Sequence, residues 1–90
     1  MAKFFVIHPV GSDMTLESGT PIAQSIKAHH TTDAYWLRSY YAPESGVLYC
    51  VWDATDAGAI NQVLAEAAPE LPTQGPYKIE MYIHSEDFRQ

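Results

Sequence analysis

The segment GVLYCVWDA, residues 46–54, constrains the fold of this chain more than any other segment. Its aromatic and β-branched residues are typical of a β-strand. A strand that is wet on one face alternates apolar and polar side chains, and this segment shows no such alternation between Gly46 and Asp53. The segment therefore predicts a strand that is covered on both faces, and the fold has to supply two covering layers.

Three further segments have the character of strands. The run AYWLRSYY, 34–41, is separated from 46–54 by a turn that contains Pro and Gly, and two aromatic-rich strands about such a turn predict a hairpin. The run KFFVIHP, 3–9, predicts a first strand that is closed by a proline. The run YKIEMYIH, 77–84, alternates apolar and polar residues and predicts the last strand.

Two segments predict helices. Thr20 followed by Pro21 has the pattern of an N-cap and a first helical residue, and apolar residues then recur at helical spacing. The polar stretch ahead of this pair, 10–19, predicts a loop. After the third strand, Thr55 is the predicted N-cap of the second helix, with Asp56 in its first turn.

The predicted order of elements is strand, helix, strand, strand, helix, strand. This order is the ferredoxin-like βαββαβ arrangement of the α+β class, with a four-stranded antiparallel sheet and both helices on one face. The first and third strands are then central, and residues 1–90 are expected to form a single domain. The helices cover one face of the third strand, so the other face needs a second cover.

A second copy of the chain is the simplest cover, and we expect a homodimer that buries this sheet face wholly or in part. The alternative is that the C-terminal tail or the long first loop folds over the sheet. A chain of 90 residues has a small core for its surface, so association would also add stability.

The charge and cysteine content narrow the range of partners. Five Lys and Arg against eleven Asp and Glu give a net charge of -6, so neither nucleic acid nor an anionic membrane is expected as a partner. The single cysteine, Cys50, excludes an internal disulfide. The N-terminal apolar stretch is too short for a signal peptide or a membrane span, and a cytoplasmic location is the expectation.

The segment 36–64 resembles a family of small bacterial proteins known as a domain of unknown function. The shared pattern is a Trp, a Ser-Tyr pair three residues on, a hairpin turn, a Tyr-Cys pair in the next strand, an acidic or Ala-Pro element and an amphipathic helix. The matching residues here are Trp36, Ser39, Tyr40, Tyr49, Cys50 and Ala54. The resemblance implies a ferredoxin-like fold, dimerisation and, in part of the family, an association with nickel. It implies no established reaction and no defined set of metal ligands.

Nickel or another transition metal is the first candidate ligand. The chain has one cysteine and four histidines, and a Cys, His, His set suits nickel or zinc. The candidate metal ligands are His8, Cys50 and His84. His8 and His84 are expected at opposite ends of the sheet within one subunit, so a site that uses both would form across a dimer. The alternative for Cys50 is simple packing, because a cysteine in a central strand is commonly buried.

A second candidate site lies on the sheet face away from the helices. Alternation places Trp36, Arg38 and Tyr40 on one face of the second strand, and Glu80 and Tyr82 on one face of the last strand. These side chains predict an aromatic-walled surface that suits a small planar or anionic ligand. The alternative is a wet dimer interface in which Arg38 and Glu80 pair. The hairpin register, which decides the face of each side chain, stays open.

Three classes of function stay open. The leading one is a dimeric binding protein for a transition metal or a small ligand. The second is a dimeric ferredoxin-like enzyme, of the isomerase or cofactor-free monooxygenase kind, and the third is a structural or regulatory interaction module. The sequence contains no Gly-rich phosphate loop, no Ser-His-Asp signature and no paired Cys motif. Nucleotide hydrolysis, serine-hydrolase chemistry and dithiol redox chemistry are therefore not expected.

Overall fold

The computed structural model of the chain describes residues 1–88. Its elements are β1 (Ala2–Pro9), α1 (Leu16–Ala28), β2 (Ala34–Ala42), β3 (Val47–Ala54), α2 (Ala57–Ala67), β4 (Gln74–Lys78) and a short 3-10 helix (Ser85–Phe88). The strands form an antiparallel sheet in the order β2-β3-β1-β4, so that β3 and β1 are central. The predicted ferredoxin-like α+β arrangement is confirmed.

One face of β3 is covered by the helices. Cys50 and Trp52 pair with Val6 and Phe4 of β1, and these four side chains are buried. They share one hydrophobic core with side chains of both helices, namely Ile26, Ile60, Val63 and Leu64. Both helices therefore lie on the sheet face that carries Cys50.

The opposite face of the sheet is aromatic. This surface, which we name the open face, includes Phe5, Arg38, Tyr40, Tyr49, Val51 and Tyr77. Phe5 stacks on Tyr49 with the ring centroids 5.8 Å apart, whereas Tyr40 and Tyr77 are 59% and 54% exposed. A contiguous apolar surface of this kind is typical of an interaction site.

The predicted extent of the last strand is wrong. The strand β4 spans Gln74–Lys78, and residues 79–84 lie outside the sheet. The reason is the position of its partner. Lys78 pairs with Phe4, and β1 begins only two residues before Phe4, at Ala2, so the antiparallel chain soon runs past the end of β1. The Ile79 N–H still donates to the Lys3 carbonyl oxygen of β1 at 2.9 Å, and the apolar alternation after it has no strand to pair with.

A β-bulge in β2 separates residues that we expected on one face. Trp36 lies opposite Trp52 of β3, whereas Arg38 lies opposite the residue before it in β3. The extra residue in β2, Leu37, reverses the alternation, because one unpaired residue moves every later side chain to the other face. Trp36 therefore faces the helices, and Arg38 and Tyr40 face away from them.

Helix α1 begins earlier than predicted. Its N-cap is Thr15, whose hydroxyl accepts a hydrogen bond from the Ser18 N–H at 3.0 Å, while Ser18 Oγ accepts one from the Thr15 N–H at 2.9 Å. This capping box satisfies two backbone donors at the start of the helix. The Thr20-Pro21 pair lies inside the helix, and the last part of the predicted loop 10–19 is helical.

Helix α2 begins one residue later than predicted. Its N-cap is Asp56, whose carboxylate accepts a hydrogen bond from the Ala59 N–H at 2.8 Å. The Thr55 N–H instead donates to the Asp33 carbonyl oxygen at 2.9 Å. Thr55 therefore connects the end of β3 to the loop before β2.

Candidate functional site

A cavity of about 390 Å³ lies between α1 and the helix-facing side of the sheet. Its wall is mainly apolar and includes Met14, Ile22, Ile26, Trp36, Leu48 and Trp52. None of the Asp, Glu, Lys and Arg residues within the described chain lines it. Its volume lies in the range of pockets that hold small organic molecules, and it is therefore the candidate site.

His8 belongs to the wall of this cavity and is fully buried. Its Nδ1 lies 3.0 Å from the Pro72 carbonyl oxygen and 3.1 Å from Thr73 Oγ1. A carbonyl oxygen only accepts, so Nδ1 carries the proton and the neutral ring keeps its lone pair on Nε2. Nε2 is buried without a hydrogen-bond partner among residues 1–88. Burial lowers the pKa of His8, and the Pro72 carbonyl opposes this effect more weakly.

Trp52 also lines the cavity and carries a second unpaired polar group. Its Nε1–H is buried and has no acceptor within the part of the chain that the structure describes. The other tryptophan is satisfied, since Trp36 Nε1 donates to Ser39 Oγ at 2.8 Å, and Ser39 Oγ donates to Cys50 Sγ at 2.9 Å. A buried polar group without a partner costs about 1–3 kcal/mol. Each of the two unpaired atoms exposes less than 1 Å² of surface, so both lie behind the surface of the cavity.

The Cys50 side chain is held as a thiol. Burial raises the pKa of Cys50 to about 11, and the hydrogen bond from Ser39 opposes this effect only in part. The thiolate is the form that attacks electrophiles and binds metals. At neutral pH Cys50 is therefore a packing group in the cavity wall.

Two of the three predicted metal ligands reach the cavity. His8 and Cys50 lie on the neighbouring strands β1 and β3, and both line it. His84 lies in the segment after β4, where its Nδ1 accepts a hydrogen bond from the Glu86 N–H at 3.3 Å. Among residues 1–88, no group of three or more His, Cys, Asp or Glu side chains is arranged to hold a metal ion. The predicted set is therefore not assembled within the described chain.

The five predicted ligand-binding residues are spread over three regions. Trp36 lines the cavity, while Arg38 and Tyr40 lie on the open face. Glu80 and Tyr82 follow the end of β4, and Glu80 Oε1 lies 3.7 Å from Nζ of the last residue of β4 in an exposed ion pair. The bulge in β2 and the short β4 are the two reasons why the predicted surface does not form.

Sequence reasoning missed the cover of the cavity and one of its polar groups. Residues 16–19, predicted as a loop, begin the helix that covers it. The available signal was the spacing of Thr15 and Ser18, which fits a capping box. The unpaired indole of Trp52 had no signal in the sequence, because it depends on which acceptors the tertiary structure places nearby.

The fold and the cavity define a class of protein, a small ferredoxin-like α+β domain with an apolar cavity between its first helix and its sheet. Residues 4–74 match the family model described as nickel responsive protein SCO4226-like, and the chain belongs to this family.

The solved structures include a similar chain, described as the crystal structure analysis of SCO4226 from Streptomyces coelicolor A3(2). The TM-score is 0.79, and the match covers 91% of this chain and 100% of that chain. The two sequences are 18% identical, so the likeness shows the fold. No curated protein sequence matches the chain. No helix within residues 1–88 is long and apolar enough to cross a membrane.

A second histidine beside the cavity wall is also held neutral. His30 Nε2 accepts a hydrogen bond from the Trp36 N–H at 3.0 Å, and its ring centroid lies 4.4 Å from that of Tyr35. Burial, and then the positive charge of Lys27, lower the pKa of His30. Protonation of Nε2 would remove the acceptor of this hydrogen bond at the start of β2.

The stability of the fold should decrease as the pH falls below about 6.5. The pKa values of His8 and His30 lie below their ordinary value of 6.5 in the folded chain, so the unfolded chain binds these protons first. The contribution of these two neutral rings to the free energy of unfolding is fully present above this pH. It decreases as the pH falls toward the lowered pKa values, by at most about 1.4 kcal/mol per pH unit for the buried His8. Urea unfolding from about pH 7.5 to about pH 5 measures the slope. An unchanged slope in the His8→Phe variant would contradict the role of His8.

Proposed function

We propose that this protein is a homodimeric binding protein that holds a small, mainly apolar organic molecule in the cavity beneath α1, without chemical turnover. The observation that carries this proposal is the cavity of about 390 Å³, whose wall is mainly apolar and contains none of the acidic or basic side chains of residues 1–88, histidine apart. A cavity of this size suits a small organic molecule, and its apolar wall favours one that buries apolar surface there.

The chemistry of the wall supports binding rather than catalysis. Acid–base and nucleophilic catalysis need a positioned proton-transfer group or an activated nucleophile. Cys50 is held as a thiol by its raised pKa, which is about 11. The Tyr41 hydroxyl donates to the Gly11 carbonyl oxygen at 2.6 Å. His8 is left as a candidate proton acceptor among the residues that line the cavity. Its hydrogen-bonded neighbours Pro72 and Thr73 supply no acid that could act together with it.

A neutral hydrocarbon should bind in the cavity. We expect butylbenzene to shift both indole N–H resonances in proton–nitrogen NMR spectra, because both tryptophans of the chain line the cavity. It should also raise the thermal midpoint, since a ligand that binds the folded state stabilises it. The Ala23→Phe variant places a ring in the cavity from α1 and should lose this binding.

The matched control is Ala65→Phe on the exposed side of α2, which should bind butylbenzene as the native chain does. Unshifted indole resonances in the native chain would overturn the proposal. Undiminished binding to the Ala23→Phe variant would also overturn it, because the molecule would then lie elsewhere.

The dimeric part of the proposal rests on the open face. Tyr40 and Tyr77 are more than half exposed there, beside the Phe5–Tyr49 stack. Within the described residues of the tail, Met81, Tyr82 and Ile83 are 73%, 73% and 63% exposed, so these side chains are not packed on the open face. A second copy that applies the same face is the closed, symmetric way to bury such a surface.

The Tyr40→Lys variant should dissociate the dimer. The new ammonium group would have to lose its hydration in the middle of the interface, whereas in a single chain the exposed position tolerates the change. Light scattering after size exclusion should give the mass of two chains for the native protein and of one chain for the variant. Ala65→Lys on α2 adds the same charge elsewhere and should remain dimeric. A monomeric native chain would contradict this part of the proposal.

Nickel is a second candidate ligand, favoured by the description of the family and by the geometry of His8. Metal-binding histidines commonly donate their other ring N–H to a backbone carbonyl, as His8 does to Pro72. The remaining donors do not fit a complete site, because Cys50 is a thiol and His84 lies in the segment after β4. A nickel site at His8 would therefore require a movement that exposes the buried Nε2, and it would take its further ligands from solvent or from a second chain.

Metal analysis of tag-free protein tests this second candidate. The protein is mixed with an equimolar amount of nickel chloride, and the metal retained after dialysis is measured. Nickel that is retained by the native chain and by His29→Gln, but is lost from His8→Phe, would support a site at His8. A native chain that retains no nickel would reject this candidate.

A further inference from the structure

We infer that the segment after β4, residues 79–84, adds as an extra strand to the free edge of β2 in a second copy of the chain. In a symmetric dimer each chain gives its segment to the other, so the pairing occurs twice. This inference rests on the dimeric part of the proposed function, because it names the part of the partner that the segment contacts.

The segment 79–84 has the sequence of a strand but the exposure of a loop. Its residues, IEMYIH, alternate apolar and polar side chains as a strand does. The Ile79 N–H still donates to the Lys3 carbonyl oxygen of β1, whereas the large side chains of Met81, Tyr82 and Ile83 are exposed. A run of exposed apolar side chains is typical of an interaction site. The segment therefore lacks a partner that its own sheet does not supply.

An extended segment would place its apolar side chains on the side of the open face. Side chains of a strand alternate between its two faces, and Tyr77 of β4 belongs to the open face. Ile79, Met81 and Ile83 therefore continue the face of Tyr77 when the chain stays extended. The proposed dimer buries the open face, so these side chains would lie between the two sheets.

The edge of β2 can accept another strand. Within residues 1–88 the sheet ends at β2, which pairs with β3 on its inner side. The start of the outer side is occupied, because the Trp36 N–H donates to His30 Nε2 and Ala34 pairs with Thr31. Residues 37–42 follow without a proline, and an edge strand directs half of its backbone N–H and C=O groups outward.

The opposite edge of the sheet is a poorer acceptor. It is formed by β4, which has 5 residues and contains Pro76, whereas β2 has 9 residues. Proline lacks the N–H that a ladder needs, and a short edge strand with a proline resists further pairing. The longer edge is therefore the one that suits the segment.

The charges of the two parts are complementary. The strand β2 carries one basic side chain, Arg38, and no acidic one. Residues 79–88 carry Glu80, Glu86 and Asp87 and contain neither Lys nor Arg. Opposite charges on two partners favour their encounter and help to select the correct partner.

The segment cannot pair with this edge in its own chain. The strands β2 and β4 form opposite edges of the sheet, in the order β2-β3-β1-β4. A strand added outside β2 would lie four strand spacings from β4, which is about 19 Å. Six extended residues span at most about 22 Å, so the crossing would use nearly all of them. A second copy of the chain is therefore the source of the added strand.

Nuclear Overhauser contacts between chains test this pairing in the full protein. The sample is a dimer assembled from equal amounts of isotope-labelled and unlabelled chains, and contacts between unlike chains are selected. We expect contacts from residues 79–84 of one chain to residues 37–42 of the other. Alternate amides of 80–84 should also exchange with deuterium at least about fivefold more slowly than in an unstructured peptide, because every second N–H would face β2.

A pair of prolines tests the same contact through the strength of the dimer. One of two consecutive N–H groups faces the neighbouring strand, so the double variant Met81→Pro/Tyr82→Pro removes one N–H of the ladder at either register. It should weaken dimerisation about tenfold on dilution. The matched control, Met81→Val/Tyr82→Val, keeps both N–H groups and should dimerise as the native chain does. Amide protection that is retained in β3 shows that a variant is folded.

The outcomes separate this inference from the proposed function. A dimer in which 79–84 contacts another part of the partner, or in which all amides of 80–84 exchange as in an unstructured peptide, would overturn the inference and leave the proposed dimer standing. A double proline variant that dimerises as tightly as the valine control would do the same. A native chain that is monomeric in light scattering would overturn the dimeric part of the proposed function together with this inference.

Discussion

The rest of the structure depends on β3, because this strand is central in the sheet and apolar on both faces. Its helix-facing side chains, Cys50 and Trp52, form part of the buried core and of the cavity wall. The alternate residues, Tyr49 and Val51, belong to the open face. Such a strand is stable only when both of its faces are kept from water. One strand therefore sets the position of the cavity and also creates the surface that we assign to a dimer.

The buried His8 ties distant parts of the chain to one another. It lies on β1, and its Nδ1 bonds to Pro72 and Thr73 in the loop after α2, 64 and 65 residues further along. This contact fixes which nitrogen carries the proton and thereby leaves the other one as a hydrogen-bond acceptor. The same burial that favours the neutral ring makes an unpaired Nε2 costly. The geometry of the loop after α2 thus decides the tautomer of His8.

The family to which the chain belongs is described by its response to nickel. A response to a metal does not require that this chain surrounds the ion with its own donors. The cavity wall suits an organic molecule better, because it is mainly apolar and its thiol is protonated. His8 is the residue of the wall that a nickel site would use, since a neutral imidazole nitrogen binds a metal through its lone pair.

Sequence patterns are sufficient to predict the order of the elements, the hairpin between β2 and β3 and the apolar character of both faces of β3. These are properties of neighbouring residues, so composition, turn chemistry and periodicity are enough to predict them. The placement of His8 and Cys50 in central strands also follows from this order. A local pattern does not show which residue of the neighbouring strand lies opposite a given residue. The predicted ligand surface depended on this cross-strand pairing.

The tertiary structure alone decided which face Trp36 occupies, where β4 ends and which polar atoms stay unpaired. The extra residue Leu37 in β2 moved Trp36 from the open face to the cavity, and the start of β1 at Ala2 left Glu80 and Tyr82 beyond the sheet. Register and strand length are set by pairing between segments far apart in the chain, and hydrogen-bond partners are set by packing around them. For this physical reason the sequence determined the elements of the protein, and only their assembly produced the candidate site.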